Sequence, residues 1–146
     1  MRNFRVYLFT AFLILVSACA TVPMESQRAD EEAKKFQVPP DKSRIYVFRE
    51  GYFAGGVKVP IALNGQIKGS TAGDTFFMWD VEPGRYEIEC FGSKDGRLVV
   101  NTQKGKATFV EQDMTWGFWY AGCELEEDSE QDGKDDVGDS SMAQSR

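Results

Sequence analysis

The sequence predicts an all-β fold class, a small antiparallel β-sandwich of seven or eight strands. Three observations lead to this prediction. From Ser43 onward apolar residues recur with a period of two, which is the side-chain period of a strand. Turn signals such as Asn64-Gly65 and Pro83-Gly84 divide the chain into short segments. No long helix-period segment, βα alternation or internal repeat is present in the sequence.

The strands follow one another at short intervals. Residues 44–50 form the first, and because both of its faces are apolar we expect it to lie centrally. Asn64-Gly65 joins 57–63 to 66–70 as a type I′ hairpin, and Pro60, which lacks a backbone donor, predicts an edge strand. Pro83-Gly84 predicts a type II turn in the next connection. The remaining predicted strands are 75–81, 85–91, 97–102, 106–112 and 115–123.

The N-terminus has the three parts of an export signal. Arg2 and Arg5 precede an apolar run that is too short for a spanning helix, which needs roughly 20 residues. Small residues follow, and Val16-Ser17-Ala18-Cys19 resembles the bacterial lipobox at every position. The resemblance implies that residues 1–18 are a lipoprotein signal peptide and that Cys19 carries a thioether diacylglycerol. The alternative is an ordinary export signal that is cleaved near Ala18 or Ala20.

A lipidated Cys19 predicts a protein of the bacterial cell envelope that is held at the membrane by its lipid. One acyl chain binds only marginally, whereas two or three hold firmly. Position 20 is Ala and not the Asp that commonly retains lipoproteins at the inner membrane. The resemblance therefore implies the outer membrane, with the domain facing the periplasm.

The segments on either side of the sandwich look different from it. Residues 19–42 predict a tether with a short helix before Pro39-Pro40, and 43–124 predict the sandwich domain. Residues 125–146 predict a disordered acidic tail, because apolar residues nearly vanish there. Losing Arg2 and Arg5 changes the formal charge from −6 to −8, and most of the excess lies from Glu124 onward. The near-neutral body disfavours nucleic-acid binding.

Two cysteines remain once Cys19 is lipidated. Cys90 and Cys123 form an even pair in an oxidising compartment, so a disulfide is one interpretation. The other is two small buried hydrophobic residues that do not meet.

The motifs Arg44-Ile45-Tyr46-Val47-Phe48-Arg49, 59–65 and 77–84 resemble a bacterial lipoprotein family known as domain of unknown function 2846. The resemblance extends from the lipobox to about Gln112. The Asn-Gly hairpin followed by a Pro-Gly turn is also similar to PEGA domains, which are envelope modules. The resemblance implies a fold and a location, and it assigns no activity to any residue.

Catalytic chemistry finds little support in the sequence. The chain contains no histidine, which excludes Ser-His-Asp and Cys-His catalysis and His-ligated zinc. Asp80 and Glu82 could serve as an acid/base pair, yet they flank a turn that favours polar residues anyway. We therefore expect no catalytic residues and no cofactor besides the covalent lipid.

Aromatic residues suggest a binding platform. With 115–123 as one strand, Trp116, Phe118 and Tyr120 share one face and Trp119 lies on the other. Trp119 together with Tyr52 and Phe53 would then form an exposed platform for an envelope protein or glycan. The alternative is that both faces of the strand are covered, since large aromatic side chains are mostly buried.

The acidic tail also contains a calcium-loop spacing, with Gly133 where the loop turns sharply. The closing Glu is replaced by Asp and no helices flank the loop, so a solvating acidic tail is the alternative. The candidate ligands are Asp128, Glu130, Asp132, Asp136 and Asp139. The sequence thus favours a non-enzymatic binding lipoprotein over a calcium-responsive module or a carboxylate-dependent enzyme.

Overall fold

Two β-sheets pack face to face in the computed structural model, which describes residues 22–51, 56–116 and 121–146. The first sheet has the order β8-β7-β1-β4-β9 and the second the order β3-β2-β5-β6. The all-β, sandwich-like prediction is confirmed at this level. The strands are β1 (Ser43–Arg49), β2 (Val59–Leu63), β3 (Gln66–Thr71), β4 (Thr75–Val81), β5 (Arg85–Cys90), β6 (Gly96–Asn101), β7 (Ala107–Trp116), β8 (Ala121–Asp128) and β9 (Ser141–Met142).

Strand β1 is the centre of the first sheet, as its two apolar faces predict. All of its residues are buried. Val47 lies opposite Phe77 of β4 in an antiparallel pair and opposite Val110 of β7 in a parallel pair. The prediction of a purely antiparallel sandwich is wrong, because β1–β7 and β4–β9 are both parallel. Between β1 and β7 the chain passes through the second sheet twice, as β2–β3 and as β5–β6, with β4 of the first sheet between them, and β7 then runs parallel to β1.

The two faces of the first sheet are covered differently. Ile45 and Val47 face the second sheet and belong to the main core, together with Ile61 and Ile88 of that sheet. On the outer face Tyr46, Phe48, Phe76 and Phe109 form a second apolar cluster. The rings of Tyr46 and Phe109 are stacked with centroids 5.0 Å apart. The outer cluster is the surface on which two helices pack.

The β2–β3 hairpin has the predicted turn. Asn64 and Gly65 adopt positive φ angles of 49° and 76°, as a type I′ turn requires. The edge-strand prediction for β2 is wrong, because β2 pairs with both β3 and β5. Pro60 is tolerated since the β5 ladder begins at Ile61, and the Pro60 carbonyl accepts a hydrogen bond from the Phe91 N–H at 3.0 Å.

The Pro83-Gly84 connection leads from one sheet to the other. Strands β4 and β5 lie in different sheets. The type II prediction is wrong, because positive φ among the described glycines is confined to Gly65, Gly69 and Gly105. Gly84 is instead held by Thr102, whose N–H donates to the Gly84 carbonyl at 2.7 Å and whose Oγ1 accepts from the Gly84 N–H at 3.0 Å. A connection that crosses from one sheet to the other needs a different backbone geometry from the tight turn of a hairpin.

The strand predicted for residues 115–123 is wrong. Trp116 ends β7 and lies opposite Ala121 of β8, so the chain reverses between them. Strand β7 extends four residues beyond its predicted end at Gln112, and β8 continues to Asp128. The face assignment of Trp116, Phe118, Trp119 and Tyr120 assumed one continuous strand, and residues 117–120 lie outside the described residues.

Helix α1 (Gln27–Ala33) lies in the segment predicted as a tether. The Ser26 hydroxyl caps it by accepting from the Ala29 N–H at 3.3 Å. The Tyr46 hydroxyl donates to the Ala33 carbonyl at 2.7 Å and so fastens the helix to the outer face. From Val22 onward this segment is part of the fold, because Val22 is 4% exposed and belongs to the main core.

Helix α2 (Glu130–Asp139) and strand β9 show that the prediction of a disordered acidic tail is wrong. The Ser129 hydroxyl caps α2 by accepting from the Asp132 N–H at 3.1 Å. Gly133 and Val137 are buried against the outer cluster, where a Cβ on Gly133 would lie 2.5 Å from the Phe109 Cβ. Two small or apolar positions one turn apart are enough to dock the helix while its acids face outward. The predicted boundary at residue 124 accordingly falls inside β8.

The two chain ends meet at the edge of the first sheet. The Glu25 N–H donates to the Met142 carbonyl at 2.9 Å, and the Gln144 N–H donates to the Pro23 carbonyl at 2.8 Å. Met24 and Ala143 form an antiparallel bridge between them. In the described part of the chain, no helix has the length and apolar character needed to cross a bilayer.

Candidate functional site

Carboxylates crowd the outer face of β7 and β8. Glu111 lies directly opposite Glu126, and Asp113 lies directly opposite Glu124. Residues opposite each other in an antiparallel pair project on the same side of the sheet. We call this surface the carboxylate face, and its members are Glu50, Glu111, Asp113, Glu124, Glu126, Asp128 and Asp136.

The alternation of β7 explains the position of these acids. Val110 and Met114 point into the main core, and the buried Gln112 accepts a hydrogen bond from the Thr71 hydroxyl at 2.5 Å. Residues 109, 111 and 113 therefore point outward. Phe109 is covered by α2, and the next two outward positions are Glu111 and Asp113. The acids thus begin where the apolar outer cluster ends.

The pKa of Glu111 is raised to about 7. Burial is the main cause, followed by the negative charges of Asp113 and Glu50. Burial and the neighbouring Asp136 carboxylate raise the pKa of Glu50, and burial raises the pKa of Asp136 as well. The six ion pairs formed by described residues include none of these three carboxylates. None of the three therefore forms an ion pair with a cationic side chain of the described residues.

A cavity of about 310 Å³ lies beside the carboxylate face. Glu50, Gly51, Asp74, Asp136 and Asp139 contribute to its wall. Gly51 packs against the Asp74 carboxylate, so a side chain at position 51 would require that carboxylate to move. Chemically, this region offers a carboxyl group that exchanges protons near neutral pH and an anionic surface.

The calcium-loop hypothesis does not fit the structure. Residues 130–139 are helical, so the oxygens of Glu130, Asp132, Asp136 and Asp139 do not converge as they would in a loop. Asp132 interacts with the helix cap, and Glu130 pairs with Lys134 at 2.5 Å. Among the described residues, no group of three or more Cys, Asp or Glu side chains is placed to hold a metal ion.

Asp80 and Glu82 are both engaged in ion pairs. The Arg44 guanidinium donates to both oxygens of Asp80, from Nε at 2.6 Å and from Nη2 at 2.9 Å. Lys42 pairs with Glu82, and this contact raises the pKa of Lys42. The two acids therefore bind the turn to β1 and its preceding residues, and neither faces a cleft with the other.

Cys90 and Cys123 are joined by a disulfide, with their Cα atoms 6.2 Å apart. The bond connects β5 of the second sheet to β8 of the first. Gly96 is required beside it, because a Cβ there would lie 2.7 Å from the Cys90 Sγ and 2.5 Å from the Cys123 carbonyl. The bridge is a covalent connection between the two layers of the sandwich.

Several predicted site residues lie outside the described part of the chain. These are the lipidation candidate Cys19 and the platform candidates Tyr52, Phe53 and Trp119. The described residue nearest to Trp119 in the aromatic run is Trp116, which is 54% exposed at the end of β7.

The sequence analysis missed Glu50, Glu111 and Asp113. Each is a single acid within or next to a predicted strand, which is the pattern of an ordinary water-facing position. The signal that identifies them is the pairing of β7 with β8. In this pairing, two successive outward positions of β7 each place an acidic residue directly opposite an acidic residue of β8. That pairing depends on a chain reversal within the segment 115–123, which the sequence predicts as one strand.

Comparison with known proteins identifies the family. A family model described as a protein of unknown function (DUF2846) matches residues 39–122, more than half of the chain. The chain belongs to the DUF2846 family. The resemblance inferred from the sequence motifs is thereby confirmed. The DUF2846 match includes β1 to β7 and ends just inside β8, so α1 and α2 lie outside it.

A curated relative extends the similarity beyond the DUF2846 match. An uncharacterized protein of Haemophilus influenzae is 32% identical over 134 residues, which covers 89% of this chain and 79% of the relative. The alignment is therefore longer than the DUF2846 region alone, and it must include sequence on at least one side of residues 39–122.

Proposed function

We propose that this DUF2846 protein is a lipid-anchored lipoprotein of the bacterial envelope and that its sandwich is a non-enzymatic binding module for an envelope protein or glycan. The observation that carries the proposal is the lipobox Val16-Ser17-Ala18-Cys19 at the end of an export signal. Cys19 is the lipidated residue in this proposal. Ala20 favours the outer membrane, with the domain in the periplasm.

The fold is compatible with an exported module. The Cys90–Cys123 disulfide suits an oxidising compartment. Val22, three residues after Cys19, is already buried in the core, so the domain follows the proposed anchor directly.

A binding role is favoured over catalysis by the chemistry of the described residues. The sequence contains no histidine, and Asp80 and Glu82 are held in ion pairs. The carboxylates with raised pKa values lie on an outer sheet face, and none of them forms an ion pair with a described cationic side chain.

The anchor is tested by Cys19→Ser in the native host. Labelled palmitate and membrane fractionation are measured for the wild type, for Cys19→Ser and for a Cys90→Ala/Cys123→Ala control. We expect Cys19→Ser to lose the label and the firm membrane association, whereas the control retains both. A Cys19→Ser protein that stays labelled and in the membrane would refute the anchor.

The binding role is tested by crosslinking in intact envelopes. The full-length protein and a Glu111→Gln/Glu126→Gln variant are purified after crosslinking, and bound proteins and glycans are identified. We expect a saturable partner for the wild type, and the variant reports whether the carboxylate face contributes. Recovery of neither a protein nor a glycan at native expression would count against a binding module.

A further inference from the structure

The point where the chain enters the fold lies very close to the anchor. Val22 is buried, and Pro23 is hydrogen bonded to Gln144 at 2.8 Å. Val22 is three positions after Cys19, and even a fully extended chain would cover only about 11 Å over that length. If Cys19 carries the lipid, the surface around Val22 and Pro23 lies within that distance of the headgroups.

This surface is a groove with a distinct composition. Its cavity of about 540 Å³ is bounded by Val22, Pro23, Lys58, Ile67 and Arg146 among others, and the described residues of its lining include two cationic side chains and no acidic side chain. The chain as a whole has a formal charge of −6, so an acid-free lining is a departure from its average surface. The acids Glu25 and Asp30 line a separate cavity, and Asp30 pairs with Lys34 at 2.8 Å.

Apolar side chains are exposed beside these cations. Ile67 is 50% exposed and Val57 is 42% exposed, and each precedes a lysine, Lys68 and Lys58. An apolar side chain next to a long cationic one is the composition that suits a membrane interface, where the cation contacts phosphate and the apolar group enters the headgroup boundary.

The β7–β8 part of the carboxylate face lies at the other edge of the sandwich. Strand β3 and the first sheet's β4–β9 side lie together at one edge, while β6 and β8 lie together at the other. The groove belongs to the β3 edge, whereas the opposed acids Glu111 with Glu126 and Asp113 with Glu124 belong to β7 and β8. A molecule with its groove toward an anionic membrane therefore keeps these four carboxylates away from that membrane.

We propose that the groove bounded by Val22, Lys58, Ile67 and Arg146 rests on the phosphate-bearing headgroups of the membrane that holds the lipid on Cys19. This inference rests on the proposed lipid anchor and adds to it a fixed orientation of the domain. Lys58 and Lys68 contact lipid phosphates, and Ile67 and Val57 lie at the headgroup boundary.

Hydrogen–deuterium exchange of the lipidated full-length protein tests the orientation. The protein is placed in vesicles of phosphatidylethanolamine and phosphatidylglycerol, in phosphatidylcholine vesicles and in detergent. We expect exchange in residues 56–71 to slow by roughly tenfold in the anionic vesicles relative to detergent, and by less in phosphatidylcholine. Exchange in residues 97–102 should stay unchanged.

Charge-reversal variants identify the groups responsible. Lys58→Glu/Lys68→Glu should lose the slowing in anionic vesicles, whereas Lys104→Glu/Lys106→Glu, at the β6–β7 connection, should keep it. All four lysines are exposed or half-buried, and circular dichroism checks that each variant is folded. Because all variants keep Cys19, loss of the slowing separates the orientation from the anchor itself.

Two outcomes would overturn the orientation. One is equal exchange in residues 56–71 for the wild type and Lys58→Glu/Lys68→Glu in anionic vesicles. The other is protection in detergent that increases with protein concentration, since this would identify a second copy of the chain as the occupant of the groove. Loss of palmitate labelling at Cys19 is a separate result and would refute the anchor.

Discussion

Glu111 of β7 and Glu126 of β8 lie directly opposite each other on the outer face of the first sheet. Like charges in directly opposite cross-strand positions are destabilising. Because burial and neighbouring acids raise the pKa of Glu111 to about 7, this residue is partly protonated near neutral pH and the repulsion is then reduced. The destabilisation of the folded state by this charge repulsion therefore depends on pH.

We predict that the protein becomes more stable as the pH falls from about 8 to about 5. The folded pKa of Glu111 is about 7 and the ordinary value is 4.5, so the folded state binds the extra proton between these two pH values. Stability is then lost as the pH rises through the folded pKa. The raised pKa values of Glu50 and Asp136 act in the same direction. Thermal unfolding across this pH range measures the effect.

The Glu111→Gln substitution removes the titrating group. We expect it to stabilise the protein at pH 8 by about 1 kcal/mol, since solvent screening reduces the full linkage value for a half-exposed group. Its stability should also change less with pH. The control is Glu31→Gln on the exposed side of α1. A variant with the wild-type pH profile would show that Glu111 titrates normally.

We predict that Gly133→Ala destabilises the protein by about 1–3 kcal/mol, because the new Cβ would lie 2.5 Å from the Phe109 Cβ. Gly138→Ala is the matched control in the same helix, since nothing lies within 4 Å of its added Cβ. This control should be neutral or stabilising by about 0.5–1 kcal/mol. Urea unfolding and limited proteolysis of α2 measure both. Equal effects of the two substitutions would mean that α2 is not docked on Phe109.

Tyr46→Phe should destabilise the protein by about 1 kcal/mol, because it removes the buried hydrogen bond from the Tyr46 hydroxyl to the Ala33 carbonyl. Amide exchange in α1 should increase at the same time. In the control, Tyr86→Phe, the lost bond is to the exposed Glu82 carbonyl, so a smaller change is expected. If Tyr46→Phe leaves exchange in α1 unaffected, the hydroxyl does not hold the helix.

Reduction of the Cys90–Cys123 disulfide should lower stability by about 2–4 kcal/mol. The Cys90→Ala/Cys123→Ala variant should show the same loss without reductant, and reductant should have no further effect on it. Chemical denaturation with and without reductant makes the comparison. Two free thiols in the unreduced, unfolded wild type would contradict the bridge.

The sequence was informative where local chemistry decides the structure. The positive φ angles at Asn64 and Gly65 follow from the turn they form, and the central position of β1 follows from two apolar faces. The sequence was less informative where contacts between distant segments of the chain decide the structure. Trp116 pairs with Ala121, which an unbroken aromatic run conceals, and the parallel pairing of β1 with β7 depends on the path through the second sheet.

Helix α2 is the clearest case of tertiary contacts overriding composition. The segment has too little apolar surface to form a stable helix alone. The first sheet supplies the missing apolar contact through Phe109. The carboxylate face could not be predicted for a related reason. Glu50, Glu111 and Asp136 come from three separate elements, and only the folded chain brings them together.

The bridge between Met24 and Ala143 places the first and last described segments of the chain side by side. Nearby chain ends allow a protein to be circularly permuted. A short linker from Arg146 to Val22 would keep every strand pairing while moving the free ends elsewhere, for instance to the turn at Gly105. A tag fused after Arg146 would, in contrast, emerge beside the point where the N-terminal segment enters the fold, because Arg146 and Val22 line the same groove. Labels for binding assays are therefore better inserted at the Gly105 turn.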